Sequence, residues 1–143
     1  MKVKQISVFL ENKAGRLASV TRVLGDAKIN IRALCIADTA DFGILRIIVD
    51  QPDRAYDALK AAGFSATETD VLAIEVPDVP GGLASVLETM GEAQVNIEYL
   101  YAFLTRASEN AIIIFRVENP EMAIELLEKS NVRLLPGETV YKL

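Results

Sequence analysis

Histidine and tryptophan are absent from this chain, and cysteine occurs once. Without histidine the commonest general base at neutral pH and the commonest metal ligand are missing, so hydrolytic and metal-assisted catalysis lose their usual machinery. The single thiol, Cys35, excludes an intrachain disulfide and any CxxC metal or redox motif. Set in an apolar stretch with no histidine to activate it, Cys35 reads as a packed side chain rather than a nucleophile. No apolar run approaches the ~18 residues of a membrane-spanning helix. The first residues, Met1-Lys2-Val3-Lys4-Gln5, lead into a short alternating segment and not into a signal sequence. A basic surplus is lacking too: 15 Lys and Arg face 20 Asp and Glu, for a net charge of −5, and the cations are scattered. Nucleic acid and membrane are therefore not expected partners. Glu11, Asp38, Asp41, Asp50 and Asp53 gather only near loops, without EF-hand spacing, as solvated surface. No cofactor, no metal and no catalysis are expected, in a cytoplasmic protein.

What the chain does contain is itself twice. Gly15-Arg16-Leu17-Ala18-Ser19-Val20 returns 66 residues later as Gly81-Gly82-Leu83-Ala84-Ser85-Val86, and Lys28-Ile29-Asn30-Ile31 returns as Gln94-Val95-Asn96-Ile97. Positions 15 to 34 match their counterparts at ten of twenty places, where ordinary residue usage gives about one by chance. After a shift of two residues Val49, Pro52, Ala55 and Leu59 pair with Val117, Pro120, Ala123 and Leu127. The two extra residues fall most simply around Thr105 to Asn110. This is a duplication, and it divides 143 residues into modules over 1–69 and 70–143. With 51% apolar residues there is material for a core in each, although modules of ~70 residues are marginal alone.

Lys2 to Leu10 alternates, with Ile6, Val8 and Leu10 on one side, as a strand with two unlike faces does. From Arg16 the apolar residues Leu17, Val20, Val23, Leu24 and Ala27 fall at helical spacing and stop at Lys28. Ile29 to Ala37 and Gly43 to Val49 are β-rich runs flanking a hairpin at Asp38-Thr39-Ala40-Asp41. Pro52 suits the first turn of a second helix ending at Gly63, where glycine accommodates the left-handed conformation, and a short strand from Phe64 follows. The second copy repeats this order from about Val71. The expected fold is α+β: two ferredoxin-like βαββαβ modules, each a four-stranded antiparallel sheet with two helices on one face, packed as a pseudo-twofold pair.

The turn between first strand and first helix ends at a helix N-terminus in both copies. Unpaired backbone N–H groups and the positive end of the helix dipole favour a carboxylate there, with glycine allowing close approach. Asn30 and Asn96 stand where the first helix hands over to the second strand, each with an amide that donates and accepts. With Asn12 or Asp78 as acceptors for an ammonium group, these elements suit an α-amino acid. The plainer reading makes Asn12 and Asp78 helix caps and Asn30 and Asn96 turn residues.

The segment Asn12-Lys13-Ala14-Gly15-Arg16-Leu17-Ala18 followed by Ile29-Asn30-Ile31, repeated as Asp78-Val79-Pro80-Gly81-Gly82-Leu83-Ala84 and Val95-Asn96-Ile97, resembles the ACT domain, and the whole chain resembles a tandem ACT protein. The resemblance implies regulatory binding of a free amino acid at the seam between ACT modules. The turn of one module would supply backbone groups and the asparagine opening the second strand would reach in from its neighbour. Carried over by position, the ligand-binding residues are Asn12, Ala14, Gly15, Arg16, Leu17, Asn30 and Ile31 in the first copy. In the second they are Asp78, Pro80, Gly81, Gly82, Leu83, Asn96 and Ile97. A homodimer and a regulated metabolic enzyme are the implied partners. Ala14 replaces the usual proline and Asp78 a usual asparagine, so the two sites need not be equivalent.

One asymmetry lies outside the resemblance. Ala33, Cys35 and Ala37 correspond to Tyr99, Tyr101 and Phe103, small against large at each place. Three aromatics on one strand face require cover. The helices of the same module are the expected cover; if they lie on the other face, the aromatics form a dimer surface or a pocket wall. A different class of function, a structural oligomerisation module driven by exposed strand edges, is the alternative to ligand sensing.

Overall fold

The computed structural model describes residues 1–38, 41–103 and 109–143. The elements run β1 (Val3–Glu11), α1 (Arg16–Asp26), β2 (Ile31–Asp38), β3 (Phe42–Val49), α2 (Pro52–Ala61), β4 (Ser65–Pro77), α3 (Gly82–Glu92), β5 (Ile97–Ala102), β6 (Asn110–Val117), α4 (Pro120–Lys129), β7 (Leu134–Leu135) and α5 (Gly137–Tyr141). The βαββαβ order occurs twice, and β1–β3, β2–β3, β4–β6, β4–β7 and β5–β6 pair antiparallel. The chain divides into two compact units, one of Lys4–Thr69 and one of Asp70–Leu143 together with Met1–Val3. In place of a short strand from Phe64, β4 runs for 13 residues, because neither glycine nor an internal proline interrupts its pattern before Pro77. The hairpin expected at Asp38-Thr39-Ala40-Asp41 and the extra residues expected around Thr105 to Asn110 lie partly outside the described residues.

In the first unit β3 pairs with β1 and β2, placing Val8 opposite Leu45 and Leu34 opposite Ile47. The alternation read in β1 then carries Ile6, Val8 and Leu10 to the same face as Leu45, Ile47 and Val49. That face packs against Val20 and Leu24 of α1 and Ala55 and Leu59 of α2. The second unit repeats the arrangement, with Leu72, Ile74, Val76, Ile113, Phe115 and Val117 against Val86 and Met90 of α3 and Ala123 and Leu127 of α4. A register irregularity falls at the same place in both, between Ile31 and Ala33 and between Ile97 and Tyr99.

The helices also finish alike. Lys28 (φ 61°) and Gln94 (φ 56°) are left-handed although neither is glycine. Each closure is held by a backbone bond of 2.9 Å, Ile29 N–H to the Leu24 carbonyl and Val95 N–H to the Met90 carbonyl. Gly63 takes the left-handed conformation expected of it, and Asn131 does so at the end of α4.

The aromatic stripe is a correction. Tyr101 stands opposite Ile114 and Tyr99 opposite Arg116, whereas the residues facing the helices are Ile113, Phe115 and Val117. Tyr99, Tyr101 and Phe103 therefore lie on the face their own helices do not cover, although Tyr101 is buried. Period-2 alternation distinguishes two faces without saying which one meets the helices. Helix α5 was not expected either; Pro136 ends β7 after two residues and serves as the N-cap of a short closing turn. Among the described residues no helix is long and apolar enough to cross a membrane.

Two contacts fix the start of α4. Lys2 Nζ donates to Glu121 at the start of α4, and this hydrogen bond, then the Glu121 backbone amide, then the Lys2 charge hold the Glu121 carboxyl below its ordinary value of 4.5. Because the folded-state pKa is depressed, the stabilisation is present at neutral pH and is lost as pH falls through that value. An NMR titration should place the Glu121 midpoint below 4.5 and show it moving upward in Lys2→Ala. Asn119 caps α4 by accepting the Met122 N–H at 3.2 Å, and Leu127 is fully buried on the same helix. In urea unfolding, Asn119→Ala should cost about 1 kcal/mol and Leu127→Ala about 2–5 kcal/mol.

Candidate functional site

Helices α1 and α3 begin without a side-chain cap. Their N-cap residues are Gly15 (φ 89°) and Gly81 (φ 84°), left-handed and unable to offer a side-chain acceptor. The first i→i−4 bonds run from Ser19 N–H to the Gly15 carbonyl at 2.9 Å and from Ser85 N–H to the Gly81 carbonyl at 3.0 Å. The N–H groups of Leu17 and Ala18, and of Leu83 and Ala84, lie ahead of those bonds at the positive end of the helix dipole. Neither first turn contains an acidic residue. Asn12 and Asp78 stand three residues before the glycines, outside the N-cap positions themselves. Asn119 on α4 shows what a capping side chain in this chain looks like.

Over the second turn lies a cavity of about 680 Å³. Pro77, Val79, Pro80, Gly81, Gly82, Ser85 and Val86 form one side, and Glu75, Asn110 and Asn131–Arg133 the other. Gly82 is there because a Cβ would stand 2.1 Å from the Pro77 carbonyl oxygen. Glu75 accepts from Arg133 at 3.3 Å and from the Asn110 amide at 3.5 Å, so the polar wall is a linked group. Arg133 and Asn110 were not foreseen, because they approach Glu75 from 58 and 35 residues away.

Over the first turn the corresponding space is smaller, about 180 Å³, lined by Glu11, Asn12, Lys13, Arg16, Leu17 and Ile36 among others. Glu11 there pairs with Lys13 at 2.9 Å and Arg16 at 3.6 Å. The Lys13 hydrogen bond, then the Lys13 and Arg16 charges, hold the Glu11 carboxyl below its ordinary value. Where the second turn has Gly82 the first has Arg16, so the two turns share a backbone and differ in charge.

The other half of the expected site is elsewhere. Asn30 and Asn96 follow the C-terminal ends of α1 and α3, and an 11-residue helix separates them from the turns by about 16 Å. Asn30 is fixed by its backbone, its N–H donating to Asp50 Oδ1 at 2.9 Å and its carbonyl accepting the Asp50 N–H at 3.1 Å. The Asn96 carbonyl accepts the Glu118 N–H at 3.2 Å, and both asparagines are exposed. Within a unit, then, turn and asparagine do not converge. Of the remaining expected residues, Leu83, Ile31 and Ile97 pack against the cores, whereas Ala14 and Asp78 are exposed. Among the described residues no group of three Cys, Asp or Glu side chains is placed to hold a metal ion.

A family model described as the ACT domain pair matches residues 1–143. No curated protein matches the chain. Among solved structures it is similar to a protein from Bacteroides thetaiotaomicron, with 49% identity and a TM-score of 0.93 over 100% of this chain and 98% of that one. It is also similar to the ligand-free regulatory subunit of aspartate kinase from Thermus thermophilus, with 18% identity and a TM-score of 0.63 over 89% of this chain and 91% of that one. Aspartate kinase from Clostridium acetobutylicum gives 14% identity and a TM-score of 0.54 over 90% of this chain and 33% of that one. At 18% and 14% identity the likeness is one of fold. The ACT domain is a regulatory module rather than a catalytic one. A duplicated βαββαβ order, matched left-handed glycine turns and a match over the whole sequence place the chain in the ACT domain family, as an ACT domain pair.

Proposed function

We infer that the protein is an amino-acid-binding regulatory module. The observation that carries this reading is the pair of uncapped helix N-termini on left-handed glycines, one beneath a cavity of about 680 Å³. A ligand carboxylate suits the N–H groups that those glycines leave open. Its ammonium group suits the side-chain carbonyl of Asn30 or Asn96. Because turn and asparagine are about 16 Å apart within a unit, one ligand held by both takes the turn of one ACT module and the asparagine of another. The open edge of β2, an outer strand with apolar Leu34 and Ile36, supports a second copy of the chain as partner. A metabolic enzyme reading the ligand state fits the company of aspartate kinase regulatory subunits.

Ligand binding to the native state alone stabilises it by about 2.7 kcal/mol at 100 times Kd, which for a domain of this size is several degrees. A thermal-shift panel of the amino acids, on protein refolded free of carried-over ligand, should show a selective rise. The rise should vanish in Asn30→Ala or Asn96→Ala while the ligand-free midpoint stays put, since both side chains are exposed. A flat panel would overturn the reading and leave the oligomerisation module in its place.

A further inference from the structure

The duplication supplies an internal control at the other end of the helices. In the first unit the carbonyls that end α1 are closed by side chains from α2 and its N-cap residue. Arg54 Nη2 donates to the Ala27 carbonyl at 2.8 Å, and Arg54 Nη1 donates to Gln51 Oε1. Gln51 Nε2 in turn donates to the Lys28 carbonyl at 3.3 Å. A guanidinium thus sits on the negative end of the α1 dipole, where it is electrostatically favoured.

The matched positions of the second unit are Met122 for Arg54, Asn119 for Gln51 and Glu118 for Asp50. Among the described residues no side chain donates to the Ala93 or Gln94 carbonyl, the counterparts of Ala27 and Lys28. Met122 is 47% exposed and fills nothing. Where the first unit holds its guanidinium the second has a cavity of about 550 Å³, lined by Gln94, Asn96, Glu118, Asn119, Glu121 and Met122 among others. Glu121 is neutralised by Lys2. Glu118 has no ion pair among the described residues, and it lines the same space as Gln94, two residues beyond α3.

We propose that this cavity is a guanidinium-binding site. A planar fork of N–H donors would reach the Gln94 carbonyl beyond α3, in the role that Arg54 and Gln51 share at the end of α1, and its charge would be balanced by Glu118. The site goes beyond the amino-acid reading above and shares only Asn96 with it. The guanidinium comes from free arginine or from an arginine side chain of a partner protein.

Agmatine tests the site separately from the amino-acid reading, because it carries a guanidinium and no carboxylate for a helix N-terminus. Calorimetry on the full chain at about 10 mM agmatine, ten times a Kd of about 1 mM, should show one site per chain, with NMR shifts at Gln94, Asn96 and Asn119. Met122→Arg should supply the group from within, raise the thermal midpoint and abolish binding. Arg54→Met should open the matched place and raise the stoichiometry to two; if that variant fails to fold, Met122→Arg decides alone. A Gly-Arg-Gly peptide binding as well as free arginine assigns the group to a partner's side chain, and arginine binding about tenfold tighter assigns it to the free amino acid. Absence of agmatine binding, or binding unchanged in Met122→Arg, would overturn the proposal whatever the amino-acid panel shows.

Discussion

An α-helix leaves its first N–H groups and its last carbonyls without partners inside the helix, and each set must be met by something else. In this chain both first helices of the two ACT modules start on glycine, which meets nothing, and both finish on a left-handed polar residue, which meets only part of the set. Among the described residues three of these four ends lack side-chain partners, and at the fourth, the end of α1, Arg54 and Gln51 supply the donors. The cores, by contrast, are complete: strand faces such as Ile6, Val8 and Leu10 or Leu72, Ile74 and Val76 are saturated by the helices above them.

Duplication lets each copy explain the other. The two copies keep the same glycine torsions, the same closing bonds and the same register irregularity, so the backbone is the conserved quantity between repeats. Side chains diverge where they meet the helix ends. At the N-terminal end the first copy carries Arg16, Lys13 and Glu11 as a compact ion cluster, and the second carries glycine, proline and open space. The C-terminal end shows the same contrast, since the first copy is closed by Arg54 and Gln51 and the second is open. A surface ion pair contributes only about 0 to 1 kcal/mol, so these differences alter what the ends attract far more than they alter stability.

Much of this was legible in the sequence because it depends on local pattern. The repeat, the alternation of Ile6, Val8 and Leu10, the helical spacing of Val20, Val23 and Leu24, and Gly63 at a helix end all follow from residue spacing, and the structure contains each of them. The turn glycines were legible for the same reason. What escaped depends on residues distant in sequence. Arg54 reaches Ala27 across 27 residues, and Arg133 reaches Glu75 across 58; no periodicity announces either. The contrast of Arg54 with Met122 was nonetheless present in the repeat alignment, as a lost charge at a matched helical position. The face of the aromatic stripe was undecidable, because alternation assigns Tyr99, Tyr101 and Phe103 to one side without saying where the helices go.

Regulation requires that an occupied end be felt elsewhere, and magnitudes limit how. Two unit charges at opposite ends of α3, about 16 Å apart, interact by only about 0.3 kcal/mol in water and about 1 kcal/mol at an effective dielectric of 20. That distance is also about two Debye lengths at physiological salt, which reduces the term further. Direct charge coupling along the helix therefore falls below the 1–3 kcal/mol typical of allosteric effects. A larger response has to come from ordering. A ligand that completes an uncapped helix end stabilises whichever packing of modules presents that end in the right geometry, and it shifts the population by no more than its difference in affinity for the two packings. On the amino-acid-binding reading proposed above, the incomplete helix ends would be both the binding groups and the lever, because the free energy of satisfying them would be available only in the arrangement that brings the second set of ligand contacts within reach.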